Sequence, residues 1–282
     1  MNTHITQIIN KVKESDKITY VIGIAGGSAS GKSWFSDLLC KELRNCDFDC
    51  VILHQDDFAI GKGFKDKHIS LYKWDDPANF RLDEAYSVAE SVLQGHKASF
   101  LAYTLGSHMP TQSTQIGFEG LASQKKVLII EGLFAWAQGF EKLVNEKIFM
   151  QANFFHSFVL RLNRNITEKK VADFETVVNQ YFTHVAKAYL DLCLPMKLTA
   201  DLVIKNDVNP SMLEAPKKLT YKGPMPKSKM VYHDKTMIIR LAEHGADYVI
   251  EIANPRGTLF RESISSSIAD SIKKYASNPL LK

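Results

Sequence analysis

The residues with the plainest capacity for chemistry sit together in one short segment. Gly26, Gly27, Ser28, Ala29, Ser30, Gly31, Lys32 and Ser33 read GGSASGKS and fit the spacing G-x-x-x-x-G-K-[ST]. Glycines in this pattern let backbone N–H groups converge on a phosphate, and a following helix N-terminus adds positive potential. Lys32 is suited to neutralise the β and γ oxygens of ATP, and the Ser33 hydroxyl to ligate Mg2+. The chemistry is the handling of a nucleotide's phosphates. The loop alone does not separate a kinase from a GTPase, a motor or a nucleotide sensor. No guanine-reading NKxD-type motif follows it, and the chain is short for a motor.

A loop of this kind needs a strand to deliver it and a helix to receive it. The run YVIGIA at 20–25 is apolar and β-branched, and from Lys32 to Leu43 the residues Phe35, Leu38, Leu39 and Leu43 share a helical face. A second strand at 50–54 runs into the acidic turn Gln55-Asp56-Asp57-Phe58, followed by a polar loop over 60–70. A helix is predicted over 83–95 with Asp83 as N-cap. KVLIIEGLFAW from Lys126 is the near-continuous apolar run of a central parallel strand covered on both faces, and it ends at Glu131. A strand around 148–150, a basic stretch over 161–170, a long helix over 173–194 closed by Pro195, and a last core strand at 201–205 complete this part. Ahead of it all, Ile5, Ile8, Ile9 and Val12 mark a short amphipathic helix. Strands alternating with helices predict an α/β fold with a mostly parallel sheet flanked by helices. Beyond Asn206 a lysine-rich stretch punctuated by Pro210, Pro216, Gly223, Pro224 and Pro226 reads as a linker. Two strands at 236–241 and 248–253, joined at His244-Gly245, and a final helix marked by Ile264, Ile268 and Ile272 follow it. The expected organisation is one domain over 1–205, with 206–282 as a strand-pair and helix appendage packed on it.

Composition narrows the partners. The formal net charge is +4, with 35 basic and 31 acidic residues interspersed, which speaks against nucleic acid as the principal partner. Cys40, Cys46, Cys50 and Cys193 lack both CxxC spacing and the density of a disulfide scaffold, so reduced thiols and a reducing compartment are expected. No continuous apolar stretch suits a signal peptide or a membrane span. The expectation is a cytoplasmic protein with a small-molecule partner, no membrane or nucleic-acid partner, and a homo-oligomeric state.

With GIAGGSASGKS, HQDDF, KWDDPANF, LIIEGLFAW and QYFTHVAKAYLDLCLPMKLTADLVI in this order, residues 20–205 resemble the uridine kinase and phosphoribulokinase family, nearest the uridine-cytidine kinase pattern. The resemblance implies a P-loop NTPase fold and a kinase that moves the γ-phosphoryl group of ATP, with Mg2+, to a hydroxyl. It implies that Asp56 accepts the proton of the attacking hydroxyl near the metal, with Asp57 beside it as a turn acid, and that Glu131 is a second Mg2+-associated carboxylate. On the acceptor side it implies that Asp75 holds ribose hydroxyls with Trp74 as its aromatic neighbour. Tyr103 and His108 would contact the base, and Arg161 would share the ribose site. Arg164 and Lys169 match lid cations that reach the ATP phosphates, where they would stabilise charge on the migrating group.

Departures from that pattern cluster around the acceptor. Thr104 stands where an Asp follows the Tyr, Pro110 where an Arg follows the His, and the lid reads KKVAD with one extra residue. A site built to hydrogen-bond one polar substrate discriminates against analogues that leave its groups unpaired, so these changes point to another acceptor: a sugar phosphate, or a glycerate- or pantothenate-like alcohol. A nucleotide-binding regulatory protein without transfer is the remaining alternative, against which the retained Asp56 and Glu131 count.

Overall fold

The computed structural model describes residues 2–61, 73, 75–104, 107, 109–121, 123–168, 173–206, 209, 210, 213, 221 and 225–281. Trp74, His108, Lys169, most of the expected polar loop over 60–70 and most of the lysine-rich linker lie outside these residues. Two compact units divide the chain: Met1–Gln151 with Ala188–Asn206, and Ala152–Lys187 with Asp207–Lys282.

In the first unit, helix α1 (Asn2–Glu14), strand β1 (Thr19–Gly26), helix α2 (Lys32–Asn45), strand β2 (Asp49–His54) and helix α3 (Leu82–Leu93) follow the predicted order. A hairpin of β3 (Ala98–Ala102) and β4 (Gln112–Ile116) precedes β5 (Lys126–Glu131), β6 (Glu146–Gln151) and β7 (Leu202–Lys205). The five-stranded sheet has the order β2-β5-β1-β6-β7, and all its pairings are parallel. Alternation along each strand explains why the apolar runs are unbroken. Ile22, Ile24, Val127, Ile129, Ile148 and Met150 face Ile8, Val12, Phe35 and Leu39 of α1 and α2. Val21, Ala25, Leu128, Ile130 and Phe149 belong instead to the core that includes Ala85, Val88, Ala89 and Val92 of α3. A strand buried on both faces has no place for a polar residue until its end. The charged end of β5 therefore falls at the sheet's carboxyl edge, where open α/β sheets bind ligands.

Several boundaries differ from the sequence prediction. The N-cap of helix α3 lies two residues earlier, at Arg81, with Asp83 inside the first turn, where an acid is still favourable. The long helix does begin at Asp173, whose carboxylate accepts the Thr176 N–H at 2.8 Å. It is not one α-helix: α5 (Phe174–Gln180) passes through π-helical Tyr181–Val185, one α turn (α6, Ala186–Ala188), π-helical Tyr189–Cys193 and a final 3-10 stretch, Leu194–Thr199. The β3–β4 hairpin was not predicted.

The second unit carries four strands where two were expected. They are β8 (Ser228–His233), β9 (Ile238–His244), β10 (Asp247–Asn254) and β11 (Gly257–Ile264), in the antiparallel order β11-β10-β9-β8. The two missed strands are the edges, where one side is solvated and Lys229, His233, Arg261 and Glu262 break the apolar pattern. Ile264 ends β11, and the final helix α7 is Ser266–Ala276. Helix α4 (Phe154–Leu162) is capped by Asn153, whose side chain accepts from Phe155 N and His156 N at 3.0 and 3.2 Å. An aromatic cluster packs it: Phe155 stacks on Tyr232 at 4.5 Å, and Phe158 meets Phe182 edge-on at 4.8 Å. His156 Nε2 lies 2.5 Å from Asp234 Oδ2, which also accepts from Tyr232 OH at 2.6 Å. Burial alone would raise Asp234, but bonds from Tyr232, Thr236 and His156 outweigh it and hold the carboxyl at about 2.

Across the sheet, buried Glu251 pairs with Arg240 on β9 at 2.8 Å and with Arg261 on β11 through Nε at 2.9 Å. Removing one partner of a buried charge set leaves the others desolvated without compensation. Glu251→Ala is expected to lower unfolding stability by about 3 kcal/mol, the low end because both guanidiniums keep some water. Exposed Glu243→Ala is expected to change it by less than about 0.5 kcal/mol. Equal urea midpoints for the two variants would remove the triad from the account of this sheet.

Candidate functional site

Between β1 and α2 the backbone must reverse while leaving its N–H groups pointing inward. Gly31 makes this possible. It sits at φ 87 as the N-cap of α2, a left-handed conformation that side chains resist. There is also no space for a side chain, since a Cβ on Gly31 would run into the Asn206 amide. That amide, just past β7, donates to the Ser30 carbonyl at 2.8 Å and holds the loop from behind. A Cβ on Gly27 would meet the Tyr189 ring at 2.9 Å. The first helical bond of α2 runs from Phe35 N to Gly31 O at 3.0 Å, so the amides of Lys32, Ser33 and Trp34 precede the ladder at the loop. Ser30 Oγ, in a residue only 2% exposed, is buried without a hydrogen-bond partner among the described residues. An orphaned buried hydroxyl beside first-turn amides is what a cradle for phosphate oxygens requires.

Lys32 is buried, and its Nζ donates to Gly27 O at 3.1 Å and lies 4.0 Å from Glu131 Oε1. Strand register accounts for Glu131: the last residue of β5 is level with Ile24 of β1 and His54 of β2. His54 Nδ1 lies 2.9 Å from Glu131 Oε2. Burial works to raise the Glu131 carboxyl, but the His54 hydrogen bond, the Lys32 charge and the Ser33 hydroxyl outweigh it and keep the group below the usual carboxylate range. His54 is raised in turn, chiefly by its bond to Glu131, against its own desolvation. Among the described residues no three His, Cys, Asp or Glu side chains form a metal cage. Mg2+ in phosphoryl transfer keeps waters and phosphate oxygens and takes one or two protein groups, and the Ser33 hydroxyl beside the ionised Glu131 fits that demand.

The acidic turn after β2 is fixed by Gln55, which is 1% exposed. Its amide donates to Phe134 O at 3.1 Å and accepts from Phe134 N at 3.0 Å. Asp56 is thereby presented at the surface of the turn, where it is exposed. Asp57 is partly buried, and burial pushes its carboxyl up, with His54 pulling it down and Glu131 adding to the rise. Tyr103 is tied to the same turn, its N–H donating to Asp57 O at 2.7 Å. Asp75 is buried, and its charge adds to the burial that pushes the Cys193 thiol up to about 12, against Lys32 and the Gly26 backbone.

Lys32, Ser33 and Glu131 are thus brought together, and Asp56 lies on the turn after β2 to which Tyr103 is bonded. Arg161, at the end of α4, and Arg164, in π-helical Asn163–Glu168, belong to the second unit. Arg161 is buried, and Arg164 Nε lies 3.5 Å from Asn165 Oδ1. Trp74, His108 and Lys169 are outside the described residues. His54, Gln55 and Asn206 were missed by the sequence reading. Their positions flanking a strand end and an acidic turn were the available signal.

A model described as Phosphoribulokinase / Uridine kinase family matches residues 21–210, well over half of the sequence. The chain belongs to that family. The uridine/cytidine kinase UKL1 of Arabidopsis thaliana is 28% identical over 193 residues, covering 68% of this chain and 38% of that protein. The chain thus spans well under half the length of this plant relative. The uridine kinase of Shewanella halifaxensis is 27% identical over 213 residues, covering 71% of this chain and 96% of that protein. A solved structure described as a possible uridine kinase from Bacillus stearothermophilus matches with a TM-score of 0.51 at 15% identity, covering 72% of this chain and 98% of that one, which shows the fold. No helix among this family member's described residues is long and apolar enough to cross a membrane.

Two outcomes follow from the charges and the loop. The raised His54 stabilises fully below its ordinary 6.5 and loses that contribution as pH rises through its folded value. The lowered Glu131 contributes above its ordinary 4.5 and loses it on acidification, so the pair stabilises most between 4.5 and 6.5. NMR titration of His54 should give a midpoint above 6.5 that falls in Glu131→Gln; an unmoved midpoint contradicts the pairing. At the loop, Gly31→Ala should weaken stability by about 1–2 kcal/mol from left-handed strain alone. Asn206→Ala in the same chain should relieve the clash but not the strain, so full recovery in the double variant would count against the left-handed constraint.

Proposed function

We propose that the protein is an ATP-dependent small-molecule kinase, transferring the γ-phosphoryl group of Mg-ATP to a hydroxyl. The observation that supports it most is the buried Lys32 held between the Gly27 carbonyl and Glu131 at the mouth of a loop shaped for phosphate. Loop amides and Lys32 hold the phosphates, while Ser33 and Glu131 are the groups for the metal, with Asp56 as a further acid near it. When bound, Mg2+ neutralises charge on the β and γ oxygens. Asp56, exposed on its turn, takes the proton of the acceptor hydroxyl. As it does so the acceptor oxygen bonds to the γ phosphorus and the bond to the β-γ bridging oxygen breaks, releasing ADP. Arg164 and Lys169 as lid cations, and Asp75, Trp74, Tyr103, His108 and Arg161 as acceptor contacts, keep the roles that the family pattern gives them.

Relatives named uridine kinases make uridine the first acceptor to test. Thr104 and Pro110, standing where the nucleoside pattern has an Asp and an Arg, favour a different alcohol. ADP release with Mg-ATP and a panel of nucleosides, sugar phosphates, glycerate and pantothenate is expected to show stimulation by one acceptor class. Asp56→Ala and Lys32→Ala should cut that turnover at least about a hundredfold with the circular dichroism spectrum retained. Full turnover in Asp56→Ala rejects the base assignment. Tight ADP binding with no stimulation by any acceptor favours a regulatory nucleotide-binding role.

A further inference from the structure

The phosphate loop is followed at once by a large apolar side chain in water. Trp34 is 57% exposed, whereas its neighbour Phe35 is fully buried in the core. Single exposed apolar residues are common on protein surfaces, so exposure by itself decides nothing. Position decides more. The Trp34 amide is the last one ahead of the first helical bond of α2, which starts at Phe35 N. Side chains on a helix lean toward its N-terminal end, so the indole covers the turn that opens onto the loop. Ser30 Oγ, buried and without a partner among the described residues, independently marks the same loop as a seat for phosphate oxygens.

A nucleoside triphosphate seated with its β and γ groups at Lys32 and Ser33 must continue outward from its α-phosphate into ribose and base. Trp34 carries the last loop amide, and its ring is exposed. We infer that Trp34 packs against the nucleoside portion of the donor nucleotide, so that the loop reads the phosphates and the indole reads what is attached to them. This rests on the proposed use of a nucleotide donor. Flat apolar rings stack on every base with modest selectivity, so Trp34 contributes affinity for a nucleoside as a class more than choice among bases.

The test compares MgADP with magnesium tripolyphosphate, which offers phosphates and no nucleoside, by calorimetry on the full chain. Wild type should bind both. Trp34→Ala should bind MgADP at least about fivefold more weakly and tripolyphosphate unchanged, and Trp34→Phe should recover most of the loss. Nucleotide should also quench tryptophan emission in wild type more than in Trp34→Phe, whose remaining indoles are Trp74 and Trp136. Unchanged MgADP affinity in Trp34→Ala, or equal loss of both ligands, overturns the inference and leaves the kinase reading standing. Failure of wild type to bind either ligand overturns both.

Discussion

The nucleotide end of the first unit depends on one backbone constraint: the left-handed turn at Gly31 that joins β1 to α2. With only a few residues between strand and helix, the chain reverses through left-handed backbone at Gly31 and also at Ala29, φ 58, a conformation that costs residues other than glycine about 1–2 kcal/mol. The same turn aims the first amides of α2 back into the loop. Its surroundings are built to that shape. Met150 closes against Gly26, the Tyr189 ring against Gly27 and the Asn206 amide against Gly31, so each glycine is required by its neighbours, and Gly26 and Gly31 by their torsions as well. β6, β7 and the helical stretch before β7 thus act on the loop although they lie far from it in sequence.

Electrostatics follow from the order of the sheet. Because β5 lies between β1 and β2, its terminal Glu131 is level with both, and both neighbours bring a partner: Lys32 from beyond β1 and His54 from β2. Burying one carboxylate here is unfavourable alone, and the His54 hydrogen bond, the Lys32 charge and the Ser33 hydroxyl offset it. The result is an ionised acid and a fixed ammonium before any ligand arrives. Charges that need not reorganise during reaction are the ones that stabilise a transition state most.

How much of this could be read from residues alone depended on what enforces each feature. The five parallel strands and the phosphate loop were legible because burial on both faces permits only apolar residues, and because the glycines and Lys32 have no substitutes in their roles. Edge strands β8 and β11 were not, since an edge tolerates Lys229, Arg261 and Glu262 and the alternation dissolves. The π-helical Tyr181–Val185 and Tyr189–Cys193 escaped for a different reason: i to i+5 bonding leaves no residue type as its mark. Glu131 stood out as a charge closing an apolar run. Its partner His54 did not, because only strand register reveals that the two ends are level.

A difference in kind separates the two halves of the proposed reaction. Phosphate binding by backbone amides and one lysine places its demand on the turn rather than on many side chains. An acceptor must be distinguished by side chains, and a single exchange among them alters which hydroxyl compound fits. In the proposed reaction Thr104 and Pro110 are exchanges of that sort. Gln55 lies between these regimes: it fixes the turn that bears Asp56 through two bonds to the Phe134 backbone, which any residue at that position supplies. In the proposed reaction the turn that presents Asp56 is held by main-chain bonds, so the donor chemistry persists while side-chain exchanges retune the acceptor.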